Sequence, residues 1–225
     1  MKKKYPLLLC FFVVFSSLFV SCEENEFVDQ SSGDVNGHKY VDLGLPSGIK
    51  WATCNVGAIN PWDYGDYYAW GETYEKDDYT SATYKWWDDS SGKMFKYTCV
   101  YPLADNKTEL DPDDDVARVK WGGGWRMPTM LEQLELVSLC TFEITTVRGI
   151  DGYAVTGPNG NSIFIPNAGS RLGTKFINVG DCANCWSSSL KDPCYGAFCF
   201  DLKDDDSDVM PWLRESGLPV RPVCE

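Results

Sequence analysis

The chain has 225 residues, with 33 acidic against 20 basic side chains and a formal net charge of −13. That balance repels phosphate backbones and anionic lipid, and it argues against a nucleic-acid-binding role. Ten cysteines and nine tryptophans are many for this length, which suits one globular domain behind a targeting segment.

Lys2, Lys3 and Lys4 precede an apolar run over residues 6–20, followed by Ser21 and Cys22. A basic start and an apolar stretch too short for a membrane span read as a secretory signal over residues 1–21. Residues 19–22, FVSC, resemble a bacterial lipobox, with Phe19 where Leu is usual. On that reading Cys22 is lipidated, and each buried acyl CH₂ adds about 0.8 kcal/mol of membrane affinity. The alternative is an ordinary cleaved signal beside an incidental cysteine. Glu23, Glu24 and Glu26 follow at once, like the export signal of lipoproteins in Bacteroidetes-type bacteria. A lipid-anchored, surface-exposed place on the bacterial outer membrane is therefore expected. Loss of residues 1–21, which hold three lysines and no acids, moves the net charge from −13 to −16.

Residues 22–36 are polar and aperiodic, a flexible tether ahead of a single domain over residues 37–225. Residues 39–43 and 49–54 flank Pro46-Ser47-Gly48, which predicts a hairpin. Residues 60–72 carry Trp62, Tyr64, Tyr67, Tyr68 and Trp70, either as a loop pinned to the core by its rings or as a ligand platform. Residues 73–120 read as loop-rich, with Trp86-Trp87 and an acidic run over residues 111–115.

Residues 121–140, WGGGWRMPTMLEQLELVSLC, predict a helix together with its start. Gly122, Gly123 and Gly124 permit a turn that side chains forbid, and Pro128 marks a boundary. Thr129 and Glu132 have capping-box spacing. Met130, Leu134 and Val137, flanked by Leu131, are the expected inner face, with Glu132, Gln133 and Glu135 pointing mostly away. Residues 141–148, 153–156 and 162–166 then predict a three-strand meander, with Asn159-Gly160 as a strong turn signal. Residues 185–190, 196–202 and 220–223 predict further strands around a final hairpin whose tip spans 204–214.

The strings GWRMPTMLEQLELV, HKYVDLGLPSGIKWATCNVGA, GDYYAWGE, VTGPNGNSIFIP, WSSSL and GLPVRPV occur in this order over roughly residues 36–225, apart from the first, which lies between the third and fourth. Together they resemble the Fibrobacter succinogenes major paralogous domain, which is related to formylglycine-generating enzymes. That resemblance implies an α+β, C-type-lectin-like fold: mostly antiparallel strands and long loops, one main helix near 130–140, and disulfide bracing. It also implies a ligand surface built from the C-terminal strands and loops.

Beyond Cys10 and Cys22, eight cysteines remain, and an even number in an exported chain favours disulfides. Eight cysteines allow 105 pairings. One expectation ties Cys54 to Cys140, while Cys182, Cys185, Cys194 and Cys199 pair among themselves or with Cys224.

Chemistry has few places to reside. His38 is the single histidine, so Ser-His and Cys-His arrangements lack material, and at a domain edge it reads as solvated. Cys182 and Cys185 form half a zinc motif that Cys194 and Cys199 are able to complete. Asp111, Asp113 and Asp115 alternate as calcium candidates, as do Asp204, Asp206 and Asp208. In the second run Val209 sits where an EF-hand needs glycine. The expected ligand site combines Tyr195, Asp204, Asp206, Asp208, Trp212 and Arg214, since ring faces stack on sugars and carboxylates accept hydroxyl hydrogen bonds. Trp186 reads as core.

The expectation is a non-catalytic recognition module for a glycan or a surface protein, with no obligatory cofactor and calcium as the candidate ion. The rival classes are a formylglycine-generating-type oxidase, which uses a cysteine pair and copper, and a structural or tip subunit of a surface appendage.

Overall fold

The computed structural model describes residues 30–191 and 196–225. The signal segment, Cys22, the acidic residues behind it, Cys194 and Tyr195 lie outside the described residues.

The chain opens with β1 (Gly33–Val35), β2 (His38–Asp42) and β3 (Lys50–Ala52), followed by the short pair β4 (Trp87–Asp88) and β5 (Lys93–Met94). Helices α1 (Val116–Trp121) and α2 (Met130–Leu139) come next. Then follow β6 (Thr141–Val147), β7 (Ile150–Thr156), β8 (Ser162–Pro166), β9 (Ser170–Leu172) and β10 (Lys175–Ile177). The last elements are β11 (Cys182–Lys191), β12 (Gly196–Lys203), β13 (Asp206–Leu213) and β14 (Val223–Cys224). The pairings are antiparallel, in sheets ordered β1-β2-β3-β14, β6-β7-β8 and β11-β12-β13, with ribbons β4-β5 and β9-β10. This is an α+β architecture with one main helix.

The predicted hairpin around Ser47 forms, with Asp42 opposite Lys50, and so does the meander. Strand β1 adds to that hairpin as an edge, with Gly33 opposite Tyr40, so the expected tether gives way to the sheet before residue 37. The expected tip over 204–214 is mostly strand: Lys203 faces Asp206, and the turn is confined to Asp204 and Asp205.

Helix α2 starts where its sequence says. Thr129 Oγ1 accepts from Glu132 N at 3.2 Å, and Glu132 Oε2 accepts from Thr129 N at 2.8 Å. Arg126 then grips the same carboxylate through both terminal nitrogens, Nη1 to Oε2 at 2.7 Å and Nη2 to Oε1. Such a cap is worth about 1 kcal/mol. Its face differs from expectation. Gln133 and Leu136 are fully buried, whereas Leu131 is 68 % and Leu134 42 % exposed. The amphipathic count fails because Gln133 is not a solvent residue: its Nε2 donates to the Cys185 carbonyl at 2.9 Å, capping the underlying sheet.

Helix α1, inside the expected loop-rich stretch, has six residues, too few to show a period. Asp115 caps it, accepting from Ala117 N and Arg118 N, and reaches across to accept from Met127 N at 2.9 Å. Gly122, Gly123 and Gly124 all have positive φ; a Cβ on Gly123 would stand 2.6 Å from the Asn36 side chain.

The β11-β12-β13 sheet separates two cores. Cys185 and its partner Phe200 join Leu136, Trp51 and Tyr153 on one side. Trp186 and its partner Cys199 join Trp70, Trp125 and Tyr97 on the other. Trp186 is fully buried, as expected. The far C-terminus closes the structure: Val223 pairs with Trp51 of β3 and bridges Arg126.

The disulfide brace does not form among the described residues. Cys140 is a thiol at the end of α2, so the Cys54–Cys140 bridge is absent. Cys185 and Cys199 project to opposite sheet faces, which no bridge can span. Cys182 stands opposite Lys203, four residues along from Cys199, a run of roughly 13 Å. Cys224 belongs to a different sheet, opposite Lys50. Burial pushes the Cys185 thiol up to about 12 and those of Cys140 and Cys182 to about 11, so they stay protonated and inert near neutrality.

Candidate ligand-binding clefts

Among the described residues, those expected to form a site on the C-terminal hairpin do not come together. Trp212 lies opposite Ala197 at the base of the hairpin, half-buried against the Trp70 core. Asp206 and Asp208 are exposed near the tip. Trp212 lies six strand steps from Asp206, roughly 20 Å at about 3.3 Å per step. A single small ligand does not bridge that gap.

Arg214 is fully buried. Its Nε donates to Tyr84 Oη at 3.0 Å, and Nη1 donates to the Tyr97 carbonyl at 3.0 Å. The guanidinium centre lies 4.9 Å from the Trp70 ring centroid. It is an internal cross-link between the aromatic loop and the chain beyond β5, not a ligand-facing cation.

The acidic run at 111–115 is likewise committed. Asp111 pairs with Lys96 and Lys107, and Asp115 caps α1. Between them, Asp114 takes Lys85 at 3.0 Å, Lys96 at 2.5 Å and the Tyr97 hydroxyl at 2.6 Å. Burial pushes its carboxyl up, but those donors outweigh burial and hold it below the usual range. Asp113 remains on the surface. Among the described residues no three acidic, cysteine or histidine side chains gather as a metal cluster. The sheet faces already part Cys182 and Cys199 from Cys185, so the zinc set does not form. Cys199, fully buried, does not fit an accessible copper thiolate either.

Two clefts remain. The first, of about 360 Å³, opens where the N-terminal hairpin, the 55–63 loop and the end of α1 meet. His38 and Lys39 come from β2, Thr53 and Cys54 from beyond β3, residues 58–62 from the loop, and Trp121 from α1. The sequence placed His38 in solvent; its ring instead stacks on Trp121 at 3.8 Å and 5°. Trp125 meets Trp121 edge-on at 5.1 Å and donates from Nε1 to the Val35 carbonyl at 2.8 Å. Burial lowers the His38 pKa more than Asp34 raises it, so the ring is neutral at pH 7.

The opposite wall is held just as firmly. Asp63 Oδ2 accepts from Asn60 N at 2.8 Å and Asn60 Nδ2 at 3.1 Å. A Cβ on Gly57, at φ +85, would stand 2.2 Å from the Asp66 carboxyl, so only glycine lets the loop close. The Arg148 guanidinium sits 5.9 Å from the Trp62 ring. Ile59, 88 % exposed, forms the lip. Of the five aromatics over residues 60–72, Tyr67, Tyr68 and Trp70 are buried anchors, while Trp62 lines the cleft. The loop is thus pinned to the core by three of its rings, and Trp62 is left facing a cleft.

Charge sets this cleft apart. No lining residue is acidic, in a chain of net charge −13. Its volume falls in the range of about 300–1,000 Å³ usual for ligand sites, and it mixes apolar walls with a few polar groups.

The second cleft, of about 320 Å³, has the opposite character. Asp151, Asp181 and Asp204 line it with Asn167, Asn178 and Lys203. Here one residue of the expected acidic tip does face a concavity, though without Trp212. No family model matches the chain, and no curated protein and no solved structure matches it.

Proposed function

We propose that this chain is a surface-anchored bacterial lipoprotein that acts as a non-catalytic recognition module and takes a glycan in the cleft at Trp62. Its residue strings support a C-type-lectin-like domain of the Fibrobacter succinogenes major paralogous type. The antiparallel sheets, the single main helix and the long ordered loops agree with that family's architecture.

The observation that carries the glycan reading is the carboxylate-free aromatic cleft. Sugars are largely neutral, present apolar ring faces, and need a few polar partners at the rim. Trp62, the His38–Trp121 stack and Ile59 offer the apolar faces, and Lys39, Thr53 and Asn60 offer polar ones. Rings held by packing before the ligand arrives cost little entropy on binding. The Cys22 anchor and the acidic residues behind it supply the surface location. An oxidase needs an accessible cysteine pair, and a fully buried Cys199 argues against it.

Glycan-array binding of the full chain is the test. Trp62→Ala should abolish binding, and Trp212→Ala should leave it intact. Binding that survives Trp62→Ala overturns the placement. Binding to a surface protein with no glycan signal favours the other recognition class.

A further inference from the structure

We propose that the sugar taken in the cleft at Trp62 is an acidic one, a uronic acid or a sulfated sugar whose anionic group pairs with Lys39. This rests on the glycan reading above and narrows it. A neutral sugar presents hydroxyls that donate, and carboxylates are the acceptors best suited to them. The cleft has the reverse inventory. None of its lining residues is acidic, and Lys39 stands among them as a cation that only donates.

Carboxylates are close by but are spent on holding the walls. Asp63 Oδ2 accepts from Ile59 N at 3.3 Å as well as from Asn60. Asp34 Oδ1 accepts from Gly37 N at 2.9 Å, which fixes the β1-β2 turn. Asp66 Oδ2 accepts the Tyr68 hydroxyl at 2.7 Å and has Lys120 at 3.8 Å. None of the three lines the cleft. A cation belongs to each wall instead. Lys39 is exposed on β2, and Arg148, exposed on the β6-β7 turn, sets its guanidinium 5.9 Å from the Trp62 ring. His38 adds no charge, because burial keeps its ring neutral at pH 7.

The net charge of −13 does not overrule this. At physiological ionic strength the Debye length is about 8 Å, so distant acids are screened and the charges beside the ligand decide. Asp34, opposite Lys39 in the β1-β2 register, is the counterweight. Trp62 and the His38–Trp121 stack thus take the ring face of the sugar, while Lys39 selects its charge. A lysine this exposed gives a selectivity of a few-fold rather than of orders of magnitude.

Calorimetric titration of the full chain in detergent tests this with matched probes. One pair is a galacturonic acid oligosaccharide and its carboxyl-reduced form; the other is a chondroitin oligosaccharide with and without its sulfate. The more acidic member of at least one pair should bind at least about threefold tighter at low salt. That preference should vanish near 1 M salt, where the Debye length is about 3 Å. The pair that discriminates tells a carboxylate from a sulfate. Lys39→Gln should erase the preference, and Asp34→Asn, which keeps an acceptor for Gly37 N, should widen it. Lys93→Gln, the same loss of charge on the β4-β5 ribbon, should leave it unchanged. Equal affinity within both pairs overturns the proposal, as does a preference that survives Lys39→Gln or a failure to bind any acidic probe. Neutral-glycan binding that Trp62→Ala abolishes, without any preference for acid, sinks this proposal and leaves the glycan reading standing. Acidic-probe binding that survives Trp62→Ala overturns both.

Discussion

Arg221 is the most consequential side chain that the sequence conceals. It is fully buried, and all three of its bonding nitrogens find neutral oxygens. Nε donates to Asn55 Oδ1 at 2.8 Å, Nη1 to the Ala52 carbonyl at 3.0 Å, and Nη2 to the Phe164 carbonyl at 3.1 Å. It thus ties β3, β8 and the C-terminal tail together. Burial pulls its pKa down, yet a guanidinium stays charged at any ordinary pH. Arg221→Met keeps much of the volume but takes a charged donor from three buried acceptors, at about 1–3 kcal/mol for each one left unsatisfied. Relief of the buried charge offsets part of this, leaving a net loss of about 3–5 kcal/mol. Whole domains are stable by only about 5–15 kcal/mol. With a slope of about 2 kcal/mol per molar urea, the midpoint should fall by about 2 M. Tryptophan fluorescence in a urea titration reads it directly. Arg221→Lys should land between the two, since an ammonium cannot reproduce the planar fork. A midpoint for Arg221→Met within about 0.3 M of the parent chain would refute the reasoning, because that equals well under 1 kcal/mol.

Other predictions are simpler. Thr129→Ala should cost about 1 kcal/mol by removing the α2 cap, measured by the same urea titration. Leu136→Ala should cost about 2–5 kcal/mol, whereas Leu131→Ala should stay within about 0.5 kcal/mol; equal costs would restore the helix face read from sequence. The Asp114 carboxyl is held below its unfolded value of 3.8, so its stabilisation is present above that pH and lost as pH falls through the folded value. Asp114→Asn should accordingly lower stability at pH 7 and flatten its decline below about pH 4, as thermal melts across pH would record.

Much of the fold was legible because its signals are local. Thr129 and Glu132 stand at a spacing only a helix start uses, and the Pro46-Ser47-Gly48 and Asn159-Gly160 turns separate runs of strand formers. Where the reading failed, a distant partner decided the matter. Gln133 looks like a solvent residue until the Cys185 carbonyl appears beneath it. Arg214 looks like a surface cation until three aromatic rings close around it. Cysteine number argued for bridges, but strand alternation sends Cys185 and Cys199 to opposite faces, and no count can reveal that.

The candidate site was half legible for the same reason. Trp62 was visible in an aromatic-rich loop, with a ligand platform among its two readings. Its partnership with the His38–Trp121 stack depends on α1, which is too short to show a period. Lys39 gave no sign, since one lysine in a strand is ordinary until the residues beyond β3 and the loop at 58–62 enclose a cleft beside it.

The most direct test of glycan recognition is fluorine NMR of the 5-fluorotryptophan-labelled chain, titrated with its strongest array glycan and assigned by single tryptophan substitutions. The Trp62 and Trp121 resonances should shift in a saturable manner while those of Trp186 and Trp212 stay still. Movement of Trp212 with Trp62 unmoved would return the ligand to the C-terminal hairpin and contradict the account.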